Sequence, residues 1–278
     1  MRIRLDLSYD GTDFKGWAVQ PSLRTVQGTL EEALATALRV PAVRVVCAGR
    51  TDTGVHARGQ VVHLDIAPES LTGSSGRRGD SPMEALARRL NGILPPDVHV
   101  RRALEAPAGF DARFSATWRR YAYRVADDPA LVDPLVRSHV LAWPKPLDLD
   151  AMDTASRALL GLRDFASFCR RREGATTVRT LMELEWTRDE TGIAVARVVA
   201  DAFCHSMVRS MVGCLLAVGD GRRPPEWAAE TLAGRRRNPA VTVVHAHGLT
   251  LEEVGYPEGA DLAAQAERAR NTREAMDD

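Results

Sequence analysis

Apolar and polar positions alternate from the first residues: Ile3, Leu5, Leu7 and Tyr9 are separated by Arg4, Asp6 and Ser8, the period of two of a half-buried strand. After Thr25, a residue suited to an N-cap, the period lengthens, and Val26, Leu30, Ala33, Leu34, Ala37 and Leu38 recur at helical spacing. Two short β-branched runs come next, Val43–Cys47 and Gly59–Asp65, then a helix over Met83–Leu90 and a strand over Val98–Leu104. Glu69 to Pro82, rich in Ser, Gly, Arg and Asp, reads as an exposed loop. The order then repeats. Tyr121–Val125 is a strand and Asp150–Leu160 a helix; Leu181–Thr187 and Ile193–Val199 are strands joined by Asp189-Glu190-Thr191-Gly192; Phe203–Val218 is a strongly apolar helix. Trp227–Ala233 and Leu249–Val254 add a short helix and a last strand, before a charged, Ala-rich stretch of helical composition, Ala263–Met276. The repetition predicts an α+β protein of two halves, residues 1–117 and 118–257, with a charged tail over 258–278. Their sheets are expected to join into one mostly antiparallel sheet with helices on one side and a cleft between the halves.

Composition narrows the class. At 278 residues and 45% hydrophobic, the chain can bury a sizeable core. The N-terminus has no basic region followed by an apolar run, so no signal peptide is expected, and no apolar stretch approaches membrane-spanning length. Cys47, Cys169, Cys204 and Cys214 show neither CxxC spacing nor a paired framework, which predicts no zinc site and no disulfide scaffold and fits a reducing cytoplasm. His56, His63, His205, His245 and His247 are scattered over separate elements, so no metal is assigned. Without GxGxxG or a P-loop, neither a dinucleotide cofactor nor ATP is expected. Net charge is formally zero, so the distribution matters more than the total. The only lysines are Lys15 and Lys145; arginines supply the rest, in blocks such as Arg113 with Arg119, Arg120 and Arg124, then Arg170–Arg172 and Arg235–Arg237. Arginine's planar fork clamps phosphate, although such runs are more often solvated faces.

Candidate chemistry concentrates in Cys47-Ala48-Gly49-Arg50-Thr51-Asp52-Thr53-Gly54-Val55-His56-Ala57, which sets one carboxylate in a glycine-flanked loop between two strands. Gly49 and Gly54 permit positive φ or close backbone approach, as suits a loop lying against a ligand. An ordinary turn aspartate would cap its own backbone, and Asp52 taken alone fits that description too.

The string Gly49–Ala57 resembles the signature of the tRNA pseudouridine synthase A family, with Thr53 where the family usually has Ala. Three further blocks agree in order: Tyr9-Asp10-Gly11-Thr12-Asp13-Phe14-Lys15-Gly16-Trp17 with Thr25-Val26-Gln27, Phe110–Thr117 running into Arg119–Tyr123, and Phe203–Arg209. The resemblance implies two ferredoxin-like halves forming a continuous antiparallel sheet, with Asp52 at the cleft as the nucleophile that isomerises uridine to pseudouridine. It further implies sites in the anticodon stem-loop of tRNA, a homodimer and no cofactor.

Such an aspartate could attack the sugar C1′, add to C6 of the uracil, or take a proton from C2′, and the sequence does not choose. A lone carboxylate in an apolar cleft tends to protonate, so it needs a cationic partner. Arg209, on the predicted polar face of the Phe203–Val218 helix with His205, Ser206 and Gly213, is the candidate, and by resemblance it corresponds to the arginine paired with the catalytic aspartate. Tyr121 and Tyr123 share one face of a strand; by resemblance Tyr121 stacks on the target base, while Tyr123 is read as core. Arg50 is read as holding the place of an extruded uridine, with Lys15 and Arg113 as further substrate-binding candidates. Two other readings remain at this level: a nucleosidase or glycosidase, which needs a second catalytic carboxylate, and a non-catalytic RNA-binding module.

Overall fold

The computed structural model describes residues 1–71, 81–170, 176–259 and 261–270. The chain divides into two compact units, one built from Met1–Thr117 with the return segment beginning at Leu251, the other from Trp118–Thr250.

In the first unit, β1 (Arg2–Tyr9) buries Ile3, Leu5, Leu7 and Tyr9 and leaves the intervening side chains half-exposed, as the alternation predicts. Helix α1 (Val26–Leu38) starts where Thr25 Oγ1 accepts the Gly28 N–H at 3.3 Å. Strand β2 (Val46–Cys47) is shorter than the β-branched run containing it, because the Val45 N–H donates to Glu31 Oε1 at 3.0 Å instead of to a ladder. β3 (His56–Asp65) conversely begins three residues before Gly59. Helix α2 (Pro82–Ile93) opens on a capping box, with Ser81 and Glu84 exchanging hydrogen bonds and Pro82 in the first turn. β4 (Val98–Glu105) pairs antiparallel with β1, which pairs antiparallel with β3. Of the loop read from Glu69 to Pro82, residues 72–80 lie outside the described residues; Pro68–Leu71 forms a single 3₁₀ turn that buries Leu71.

In the second unit, β5 (Trp118–Ala126) lies beside β9 (Ala194–Ala200), β9 beside β8 (Val178–Arg188), and β8 beside β7 (Gly161–Asp164), all antiparallel. The two-residue β6 (Leu141–Ala142) runs parallel to the end of β5. The β8–β9 turn is the one the sequence specifies: Asp189 Oδ1 accepts from Thr191 N and Ile193 N, and Gly192 takes a φ of 90°. Helix α3 (Leu149–Arg157) stops three residues short of Leu160, because Leu159 N and Leu160 N donate only three residues back, into Gly161 at φ 91°.

Helix α4 (Met207–Gly219) departs most from the periodicity, which predicted a start at Phe203. Ser206 takes a left-handed φ of 64°, the His205 carbonyl accepts the Arg170 N–H at 3.0 Å, and Cys204 is disulfide-bonded to Cys169, their Cα atoms 5.7 Å apart. Tertiary bonds therefore hold Phe203–His205 outside the helix, with the Met207 N–H closing a turn on the Cys204 carbonyl at 3.1 Å, and His205 and Ser206 do not share a helical face with Arg209. The disulfide also corrects the expectation of no disulfide framework; it withdraws the cysteine argument for a reducing compartment, with Cys47 and Cys214 left outside any disulfide. Of the Arg170–Arg172 block only Arg170, which is exposed, lies within the described residues.

Helix α5 (Glu226–Ala233) completes the second unit; β10 (Leu249–Gly255) and α6 (Asp261–Arg270) carry the chain into the first. β10 passes so close to Gly59 that a Cβ there would stand 2.3 Å from the Glu252 carbonyl oxygen. α6 buries Leu262 and Ala266, and Ser115 Oγ donates to the Leu262 carbonyl at 3.0 Å. Residues 271–278, the end of the predicted tail, lie outside the described residues. Both units are α+β with mostly antiparallel ladders, and among the described residues no helix is long and apolar enough to cross a membrane.

Candidate active site

Asp52 begins a four-residue turn closed by the Val55 N–H donating to the Asp52 carbonyl at 3.1 Å. Gly54 supplies the φ of 78° at the third position of that turn, where a side chain would be strained. Gly49 behaves otherwise than expected: its φ is not positive and nothing stands within 4 Å of where a Cβ would sit. Its part in the loop is its carbonyl, which accepts from Gln60 Nε2 at 2.8 Å. Asp52 is half-buried, Thr51 buried, and Arg50 and Thr53 exposed.

The Tyr9–Trp17 block wraps this loop. The Trp17 N–H donates to the Thr51 carbonyl at 3.0 Å, and Phe14 and Trp17 are buried. Gly16, at φ 88°, lies against the Thr51–Thr53 backbone, where a Cβ would be 3.1 Å from the Thr51 oxygen. At Gly11 a Cβ would stand 2.0 Å from the Val55 carbonyl oxygen. His56 is tied to the same block: its Nδ1 accepts the Gly11 N–H at 3.0 Å and lies 3.1 Å from Asp10 Oδ1. Lys15 is exposed; its backbone N–H donates to the Arg24 carbonyl at 2.9 Å.

The Phe110–Thr117 block is a connector. Asp111 Oδ1 accepts the Arg113 and Phe114 N–H groups at 2.9 Å each, and the Ala112 N–H donates to His63 Nδ1 at 2.9 Å. Burial and the positive charge of Arg2 hold the His63 imidazole below its usual pKa, consistent with the neutral ring that accepts this bond. Arg113 is exposed and stacks over Phe114, 4.9 Å from the ring centroid.

The second unit gathers Tyr121, Tyr123, Phe203 and Arg209. Tyr121 is buried and meets the Phe203 ring edge-on, with centroids 5.1 Å apart. Tyr123, as predicted, is core: its hydroxyl donates to the His245 carbonyl at 2.7 Å, and burial pushes its phenol far above the usual range, opposed by the charge of Arg209. Arg209 stands in the first turn of α4, half-buried, and its Nε donates to the Val244 carbonyl at 2.7 Å. The segment receiving these bonds crosses α4 at Gly213, where a Cβ would lie 1.8 Å from the Thr242 oxygen. His245 and His247, ring centroids 5.7 Å apart, belong to this segment, and among the described residues no three of His, Cys, Asp and Glu converge as metal ligands would.

Asp52, Arg50, Lys15 and Arg113 thus belong to the first unit, and Tyr121 and Arg209 to the second. Sequence reasoning missed Tyr9, Thr51, Gln60 and Phe203. The available signal was position: Tyr9 closes the buried face of β1, Thr51 precedes Asp52, and Phe203 falls in a matched block.

The family described as tRNA pseudouridine synthase matches residues 7–115 and 155–257. Proteins described as tRNA pseudouridine synthase A are similar over nearly the whole chain. That of Streptomyces griseus is 58% identical over 98% of this chain and 94% of its own length. Those of Frankia casuarinae and Mycobacterium leprae are 57% and 53% identical, each over 98% of this chain and 96% of their own length. A solved structure of an H/ACA RNP bound to a substrate RNA containing 2′-deoxyuridine matches 77% of this chain and 53% of that chain at 11% identity and a TM-score of 0.31, too distant to bear on fold or function.

Proposed function

This chain belongs to the tRNA pseudouridine synthase family, and from that premise we propose that Asp52 is the nucleophile with which it isomerises uridine in the anticodon stem-loop of tRNA. The enzyme is an isomerase. The C1′–N1 bond of uridine breaks, the uracil turns, C1′ bonds to C5, and the C5 proton is lost as N1 gains one, so no redox partner or co-substrate is consumed. The observation that carries the assignment is the half-buried carboxylate in a loop fixed by backbone bonds on both sides, from Trp17 N–H to Thr51 and from Val55 N–H to Asp52.

Arg209 is the cationic residue of the reaction, a reading supported by family membership and by its bond to the Val244 carbonyl, which fixes its guanidinium. Tyr121 is the aromatic platform for the target base, supported by its burial and the flanking Phe203 ring. Arg50, Lys15 and Arg113 contact the RNA, and the exposure of all three supports that role. Family membership also supports a cytoplasmic homodimer, with light scattering on the purified protein as the check on its mass.

Replacing Asp52 with Ala is expected to lower pseudouridine formation in tRNA by about 10³-fold or more while RNA affinity stays within about threefold. An unchanged pseudouridine yield from the folded variant removes the nucleophile assignment. An inactive native protein that still binds tRNA favours a binding module.

A further inference from the structure

A chain of buried polar side chains lies beneath the Asp52 loop. The Tyr9 hydroxyl is 2.8 Å from Thr51 Oγ1, and Gln60 Nε2 donates to the Tyr9 hydroxyl at 3.3 Å and to the Gly49 carbonyl at 2.8 Å. Gln60 Oε1 accepts the Val61 N–H at 3.2 Å, so the amide orientation is fixed by two backbone groups of opposite kind. Tyr9, Thr51 and Gln60 are 5%, 6% and 0% exposed. Burying three such groups is costly unless each is bonded, and apolar side chains of similar shape would fill the same volume without that requirement. What polar residues add is a single geometry. Here that geometry falls on residues 49 and 51 of the loop, reached from β1 and β3, and so on the backbone from which Asp52 projects. At the same end of β1 the register against β3 shifts between Leu7 and Tyr9, with the extra residue on β3 between Ala57 and Gln60.

We propose that Tyr9, Thr51 and Gln60 are positioning residues for the reaction, holding the Asp52 carboxylate in its productive orientation without touching the substrate. This rests on the reading of Asp52 as nucleophile. Thr51 is locked twice, through its hydroxyl by Tyr9 and through its carbonyl by Trp17, and Gln60 anchors the loop's entry at Gly49. Displacement of a reacting group by about 1 Å costs on the order of 100-fold in rate, which sets the size of the expected effect.

The test compares Tyr9→Phe, Gln60→Met and Thr51→Val with the parent full-length enzyme on a tRNA transcript, measuring kcat, KM and the thermal midpoint. The expected result is a fall in kcat of about 10- to 100-fold with KM for tRNA within about twofold. Tyr9→Phe combined with Gln60→Met should be little worse than either alone, because they act through one chain. Thr51→Ser, which keeps the hydroxyl, should recover the rate lost in Thr51→Val. Variants that fold and turn over within about threefold of the parent, or that raise KM at constant kcat, overturn the proposal; so does a lower midpoint with normal kcat per folded molecule, which marks a merely structural role. Asp52→Asn assayed alongside separates the two readings. If it remains active, the nucleophile assignment falls and the positioning role with it; if it is inert while Tyr9→Phe is fully active, the positioning proposal alone is lost.

Discussion

At the scale of single residues, Arg209 and the two tyrosines show how neighbours of the same type acquire different work. Tyr123 is fully enclosed and spends its hydroxyl on the His245 carbonyl, whereas Tyr121, two positions earlier on the same face, meets the Phe203 ring edge-on. Arg209 is half-buried at the start of a helix whose remaining residues are buried, so its charge was kept at some desolvation cost. Exchanging it for Met removes the charge and the Nε–H bond to Val244 while preserving much of the stem's packing. Turnover of Arg209→Met is expected to fall by about 100-fold or more, with the circular dichroism spectrum unchanged. A rate near that of the parent would show that Asp52 needs no help from this guanidinium.

At the scale of elements, the Tyr9–Trp17 segment and the Asp52 loop form one fitted pair, and the fit is tightest at Gly11. A Cβ there would stand 2.0 Å from the Val55 carbonyl oxygen, a backbone atom that cannot swing aside. Gly11→Ala is therefore expected to cost about 2 kcal/mol of stability and most of the turnover, because the loop must shift for the methyl group to fit. Thermal unfolding and single-turnover assays read the two effects separately, and a variant with both parent values would mean that the loop yields easily. The matched Phe110–Thr117 block works through fit as well: Asp111 and His63 take up its backbone N–H groups and Phe110 is buried, so most of that motif is architecture, with Arg113 exposed and Phe114 and Thr117 half-buried.

At the scale of the whole molecule, stability should carry the mark of Asp127, which is 3% exposed at the end of β5. Hydrogen bonds from Arg188, 2.8 Å away and reinforced by the Leu147 N–H, hold its carboxyl below the usual carboxylate range against the opposing effect of burial. A carboxyl depressed in the folded state stabilises above its unfolded pKa of about 3.9, and that contribution is lost as pH falls through the folded value. Arg188 is itself 40% exposed, so solvent screens the pair and Asp127→Asn should cost about 1–2 kcal/mol at pH 7. The deficit should shrink below about pH 4. Urea unfolding at both ends of that range checks it, and a deficit independent of pH would assign the loss to packing rather than to charge.

What the sequence determined by itself was whatever depends on neighbours along the chain. The alternation of β1, the period and Thr25 cap of α1, the capping box of α2 and the Asp189–Gly192 turn are local balances of burial and hydrogen bonding, and the signature around Asp52 is a contiguous string. Partners far apart were decided only in three dimensions. Phe203–His205 has helical periodicity yet stays outside the helix, because Cys169 and Arg170 bind it from more than thirty residues away. The chain beneath Asp52 joins positions 42 and 51 residues apart, with no spacing that periodicity could register. A sequence pattern reports which face of an element is apolar; which polar groups meet across distant elements depends on the packing that closes around them.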